Sequence, residues 1–279
     1  MKERYQVIEE KNGDLKEILA KKKPIVQEFL ERFEMSWVYH DSALEGTVYA
    51  PNELQAALYP GAVAAEASLM PIVWEIRNHK NCLDYVRAEA KAATKKTPAV
   101  TLAQIRRMHD LVSGNTDEAQ VAKAAIDRRE KSDKELAKER DRMGLRKDMP
   151  LHRTYFHEIA QPSKIASMLD KLADFVASAE FREYHPIQQA AHLQYSVIGI
   201  FPFTENSGKV GRMCSNLVLL RHGYFPSVVH AIERQKYYET FRGSPLAFRN
   251  FFMDSIENSL DNALKYFREQ TRRYRAVTY

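Results

Sequence analysis

Cysteine is scarce in this chain, with 2 in 279 residues. Cys82 and Cys214 stand in helical contexts without a CxxC pair or histidine-rich neighbours, so the sequence indicates neither a disulfide framework nor a zinc site. Long apolar runs are missing too. The most apolar window, AALYPGAVAAEASLMPIVWEI, is interrupted by Pro60, Glu66 and Pro71 and offers no membrane span. The opening MKERYQVIEEKNGDLKE is charged from its second residue and lacks the apolar core of a secretory signal, so a soluble, cytoplasmic protein is expected. Repeats, proline-rich linkers and Gly/Ser tracts are absent, and Thr154, Tyr155 and Phe156 form the only extended-looking patch. The net charge is +5, but lysine and arginine are interleaved with acids, so a nucleic-acid partner is not expected. At this length a large core needs no disulfide or metal.

What is present is helical periodicity. Residues 1–35 read as helix, with breaks near Asn12-Gly13 and at Pro24 and an apolar set of Ile25, Phe29 and Phe33. A further run ends at Gly46, a residue suited to a left-handed stop. From 52 to 115 the pattern stays helical, and Thr101 caps a helix carrying Leu102, Ile105, Met108 and Leu111. His109 lies on or beside that apolar face and reads as a packed core histidine. Residues 116–148 mix both charge signs closely and read as an exposed helical insertion. Pro162 and Ser163 then start a helix that turns Ile165, Met168, Leu169, Leu172 and Phe175 inward. The fold class is all-α.

The stretch 186–224 carries the chemistry. It reads as two apolar helices joined by FPFTENSGK, where Asn206, Ser207 and Gly208 permit a tight turn into the second helix. Backbone N–H groups converging at such a helix start bind anions, most often phosphate. Lys209 and Arg212 add positive charge, and Glu205 suits a hard cation such as magnesium against the same phosphates.

Here the sequence resembles the Fic family, whose motif runs His-Pro-Phe-x-Asp/Glu-Gly-Asn-Gly-Arg-x-x-Arg between two helices of an all-helical core. Residues 201–212 match at Pro202, Phe203, Glu205, Gly208 and Arg212, and the flanks HPIQQAA and LVLLRHGYFP are similar as well. Phe201 replaces the catalytic histidine, Asn206 and Ser207 replace Gly-Asn, and Lys209 replaces the first arginine. The resemblance implies a Fic-type helical core over 149–279, N-terminal helices over 1–115 and a small β-hairpin flap at 151–160 that would hold a protein target by strand addition. In residues 36–46, SALEG resembles the family's inhibitory helix end. That likeness implies a Glu45–Arg212 ion pair, with Asp41 where the family has Ser or Thr. Arg234 and Tyr238 resemble residues that edge the nucleotide site, and a homodimer is implied.

In the family the histidine accepts the proton of a target hydroxyl as that oxygen attacks the α-phosphate of ATP, and AMP is transferred. Phenylalanine accepts no proton. Loss of general base catalysis typically costs about a hundred- to ten-thousand-fold in rate. Backbone anion binding is less affected, and Ser207 is expected to donate a hydrogen bond where asparagine would. The first reading is therefore a Fic-fold pseudoenzyme that keeps nucleotide or partner binding, with ATP and magnesium as its ligands. The second is an active nucleotidyl- or phosphotransferase of non-standard chemistry, restrained by Glu45. The third is a structural or nucleic-acid-associated helical protein. His185 and His192 are near in sequence, but helical geometry gives neither a route to the place of Phe201.

Overall fold

The computed structural model describes residues 2–21, 23–59, 69–94, 97–115, 144–150 and 157–277, with side chains as far as 272. The expected flap patch Thr154–Phe156 and most of the charged insertion, 116–143, lie outside the described residues. Helix α1, Lys2–Ala20, runs unbroken through Asn12-Gly13, where the sequence suggested a break. The reason is tertiary. Asn12 is buried, its amide donating to Gly223 O at 3.1 Å and accepting from Phe225 N at 2.8 Å, so the residue that weakens an isolated helix here anchors a distant turn.

Helix α2, Pro24–Leu44, begins at the predicted proline and ends as expected, with Gly46 at φ +97°. Thr47 N reaches back to Ser42 O at 3.1 Å and Gly46 N to Ala43 O at 3.1 Å, a Schellman closure that leaves Glu45 as the C-cap. The chain continues through α3, Pro51–Leu58, α4, Met70–Ala92, and α5, Leu102–Val112. Thr101 caps α5 as read: its hydroxyl accepts from Gln104 N at 3.2 Å while the Gln104 side chain accepts from Thr101 N at 2.9 Å.

A 3-10 turn at Pro162–Lys164 leads into α6, Ile165–Ala177, followed by α7, Ala179–Glu183, and α8, Pro186–Ile200. Ile165, Leu169, Leu172 and Val176 face inward on α6, whereas Met168, predicted to be inward, is 36% exposed. The buried stripe follows the 3.6-residue period past Met168 and picks up Val176 instead. Helices α9, Ser207–Arg221, α10, Arg234–Thr240, and α11, Pro245–Val277, complete the fold.

Helix α9 is the axis of the molecule, buried on every side from Ser207 to Leu219 and packed against α4, α5 and α8. Its approach to α8 is close enough that a Cβ at Gly211 would come within 2.8 Å of Ile198 Cγ1. Buried side chains from Ile8 to Phe267 form one hydrophobic cluster that includes Trp37, Phe181, Tyr237 and Phe252. Among the described residues β structure is limited to a single bridge between Leu145 and Phe203. None of the described helices is long and apolar enough to cross a membrane.

Candidate functional site

The connection between α8 and α9 is built on two left-handed residues. Phe201 caps α8 at φ 48° and ψ 64°, and Asn206 caps α9 at φ 62° and ψ 7°. For a phenylalanine that conformation costs roughly 1–2 kcal/mol and needs support. Arg146 supplies it. Its Nε donates to Phe201 O at 2.6 Å, its guanidinium also donates to Ala160 O, and its backbone N donates to Pro202 O at 2.9 Å. Arg146 is buried, and burial lowers its pKa. It belongs to the charged stretch read as an exposed insertion. Nothing in a run of mixed charges sets it apart from its neighbours.

The Phe201 ring is buried at 3% exposure, on the edge of a cleft of about 1000 Å³. Glu45, Arg146, Glu205, Asn206 and Lys209 line the same cleft. Asn206 donates to Ser113 Oγ at 3.1 Å. Ser207, expected to face an anion, turns inward instead: its hydroxyl donates to Phe203 O at 2.9 Å and accepts from Phe203 N at 2.8 Å. The tight turn leaves two buried backbone groups of Phe203 in need of partners, and the hydroxyl satisfies both. The Phe203 ring stacks on His109, 3.8 Å between centroids, so His109 is the packed histidine the sequence suggested. Burial holds its pKa down at about 4. His185 stacks on Tyr5 and His192 packs against Phe175, both away from Phe201.

Lys209 is buried with its Nζ 3.8 Å from Glu75 Oε1. Glu205 is exposed. No group of three or more metal-ligating side chains exists among the described residues. A magnesium ion there would therefore take the Glu205 carboxylate plus phosphate oxygens and water, a set that ion accepts.

Glu45 and Arg212 meet as the resemblance implied, Nη2 to Oε1 at 2.6 Å. The Glu45 carboxylate lies against the first turn of α9, where a Cβ on Gly208 would overlap its Oε1. An anion thus already rests at the helix start. Arg212 Nη1 is buried beside Gly208, with the guanidinium over the Tyr237 ring, and so faces the place where an oxyanion would sit. These features fit a phosphate group. The same Arg212 also donates through Nε to Asp41 Oδ1 and through Nη2 to Asp41 O at 3.1 Å. His79 Nε2 stands 2.8 Å from Asp41 Oδ2. Burial opposes ionisation of Asp41, but Arg212 and His79 outweigh it and hold the carboxyl at about 2. Burial lowers the His79 pKa despite Asp41.

Ser42 Oγ lies 3.4 Å from His79 Nδ1, giving the order serine, histidine, aspartate. All three are buried, at 0%, 0% and 3% exposure, and Asp41 is committed to Arg212. No substrate reaches that hydroxyl, so the group is structural. Asp41 was visible in the sequence only as a departure four residues before Glu45, a spacing that puts both on one helix face. A lone His79 carried no signal.

Arg234 and Tyr238 do not line the cleft. Arg234 Nε donates to Leu44 O at 2.8 Å and Tyr238 OH to the same oxygen at 3.1 Å, with the guanidinium over the Tyr238 ring. They satisfy a free carbonyl at the end of α2 and so fix the helix end that presents Glu45.

Comparison with known proteins agrees with this geometry. Residues 99–219 match the Fic/DOC family model. The protein adenylyltransferase Fic of Drosophila willistoni is 30% identical over 104 residues, 36% of this chain and 21% of the relative. Protein adenylyltransferase fic-1 of Caenorhabditis briggsae is 25% identical over 206 residues, 72% of this chain and 35% of the relative. The chain thus aligns with about a fifth to a third of the length of these curated relatives. Among solved structures, Fic-1 from C. elegans superposes with a TM-score of 0.69 at 17% identity, covering 95% of this chain and 71% of that one. A Fic domain containing signaling protein from Bacteroides thetaiotaomicron gives 0.67 at 20% identity, covering 93% and 97%. With the motif set between two buried helices, residues 99–219 carry a Fic/DOC family domain, and the all-helical fold is shared with Fic structures over nearly the whole chain.

Proposed function

We propose that this protein binds a nucleotide phosphate at the start of α9 and does not transfer AMP at a rate useful to a cell. One observation carries the reading: the Glu45 carboxylate already occupies the anion position beside Gly208 and Arg212; the motif resemblance adds that the buried Phe201 stands where the family has its base. A helix start with a buried guanidinium beside it attracts an oxyanion whatever the side chain at 201. A phenyl ring takes no proton. Among the described residues the proton acceptors lining the cleft are carboxylates, Glu45, Glu75, Asp148 and Glu205. Bound ATP with magnesium would supply the polarised phosphate, Glu205 its cation ligand, and Lys209 and Arg212 the opposing charge. The relatives named protein adenylyltransferase support this ligand class.

Wild type and Glu45→Gly incubated with magnesium and ATP labelled at the α- or γ-phosphate test the reading. ATP is expected to raise the melting temperature of Glu45→Gly with no α-label entering protein. Transfer of α-label that disappears in Glu205→Ala would overturn it and reveal a working base elsewhere. A protein partner at 151–160 and a homodimer rest on the family resemblance alone, and sedimentation of the purified chain reads the latter.

A further inference from the structure

Arg212, on which the phosphate-binding reading above also rests, is held by more than one carboxylate. Arg212 makes two hydrogen bonds to Asp41, through Nε and Nη2, and one to Glu45, through Nη2. Two carboxylates therefore share one guanidinium, and they are not equivalent. Glu45 is the C-cap of α2 and lines the open cleft. Asp41 lies inside α2 at 3% exposure, backed by the fully buried His79. Glu45 can swing aside into the cleft, whereas Asp41 has nowhere to go.

We propose that Asp41 is a positioning residue that keeps Arg212 directed toward α2 whether or not Glu45 is present, so that Glu45 is not the sole restraint on this arginine. The physical ground is the desolvation cost of separating the inner pair. A buried guanidinium withdrawn from a buried carboxylate leaves two unpaired charges, far more costly than loosening a pair at a cleft wall. His79 strengthens the arrangement from behind, its Nε2 facing the second Asp41 oxygen. Removing Glu45 then vacates the anion position at Gly208 and frees one bond of Nη2. Nε remains with Asp41, and Arg212 cannot turn as a fork onto a terminal phosphate.

Two measurements decide it. The first is the side-chain Nε–Hε signal of Arg212 in nitrogen-15-labelled protein, assigned by its loss in Arg212→Lys. A slowly exchanging Hε is expected in wild type and in Glu45→Gly, and fast exchange in Asp41→Asn. Fast exchange in Glu45→Gly itself would overturn the proposal. That readout needs no nucleotide, so it stands even if phosphate binding fails. The second is affinity for ATP against ADP, which reports a grip on the terminal phosphate. Glu45→Gly is expected to bind the two within about threefold of each other. Asp41→Asn combined with Glu45→Gly is expected to favour ATP by about tenfold, roughly the worth of one charge-assisted bond. Tenfold preference for ATP already in Glu45→Gly would sink the idea. Should the double variant fail to fold, Glu45→Gly alone still decides both readouts.

Discussion

The Glu45 carboxylate rests on Gly208 so closely that a Cβ at that position would overlap its Oε1. This contact makes the effect of one substitution depend on another. Gly208→Ala in wild type pushes Glu45 off Arg212 and is expected to cost about 1 kcal/mol net, a charged hydrogen bond lost against helix propensity gained. In the Glu45→Gly background the carboxylate is gone and only Arg212 Nη1, 3.1 Å from the added Cβ, has to shift slightly, so the same change is expected to stabilise by up to about 1 kcal/mol. Urea unfolding of the four proteins gives the sign in each background. An unchanged sign would mean that Glu45 does not hold that position in solution.

Arg146 carries the left-handed backbone of Phe201. Arg146→Ala strips donors from Phe201 O and Ala160 O, and the expected loss is about 3 kcal/mol in chemical denaturation. Arg146→Lys is expected to recover less than half, since an ammonium cannot span both oxygens as a fork does.

Acid should weaken the fold in two windows. Burial lowers His40 and His109 to about 4, with His230 adding to the effect at His40. Both groups bind protons more readily unfolded, so their contribution is whole above about pH 6.5 and is lost as pH falls toward about 4. Asp41 is held at about 2 in the fold, so its contribution is present above about pH 4 and lost between there and about 2. Calorimetry against pH is expected to show both declines. His109→Phe should shrink the upper one and Asp41→Asn the lower.

Phe201→His returns a proton acceptor to the cleft edge. Placed with Asp41→Asn and Glu45→Gly, it is expected to raise α-label transfer at least about a hundredfold over the same protein with Phe201. No increase would mean that more than the base has been lost, with Ser207 turned onto Phe203 as the first suspect.

Much of the molecule was legible along the chain. Helical periodicity, Pro24, the Thr101 cap, the Gly46 stop and the loop between two buried helices are local matters, fixed by backbone sterics and by where apolar side chains recur. The Glu45–Arg212 pair was legible because a motif ties residues 167 positions apart in sequence. Which partner each polar side chain takes was decided only in three dimensions. Asn12 reads as a helix breaker until Gly223 and Phe225 are beside it, and Arg146 as a surface charge until Phe201 needs a donor. Ser207 was expected to face the ligand, yet two unpaired groups on Phe203 were nearer. Arg234 and Tyr238 went to a helix-end carbonyl for the same reason. A buried polar group must find a partner, and the sequence states the demand while only the packed fold determines who answers it.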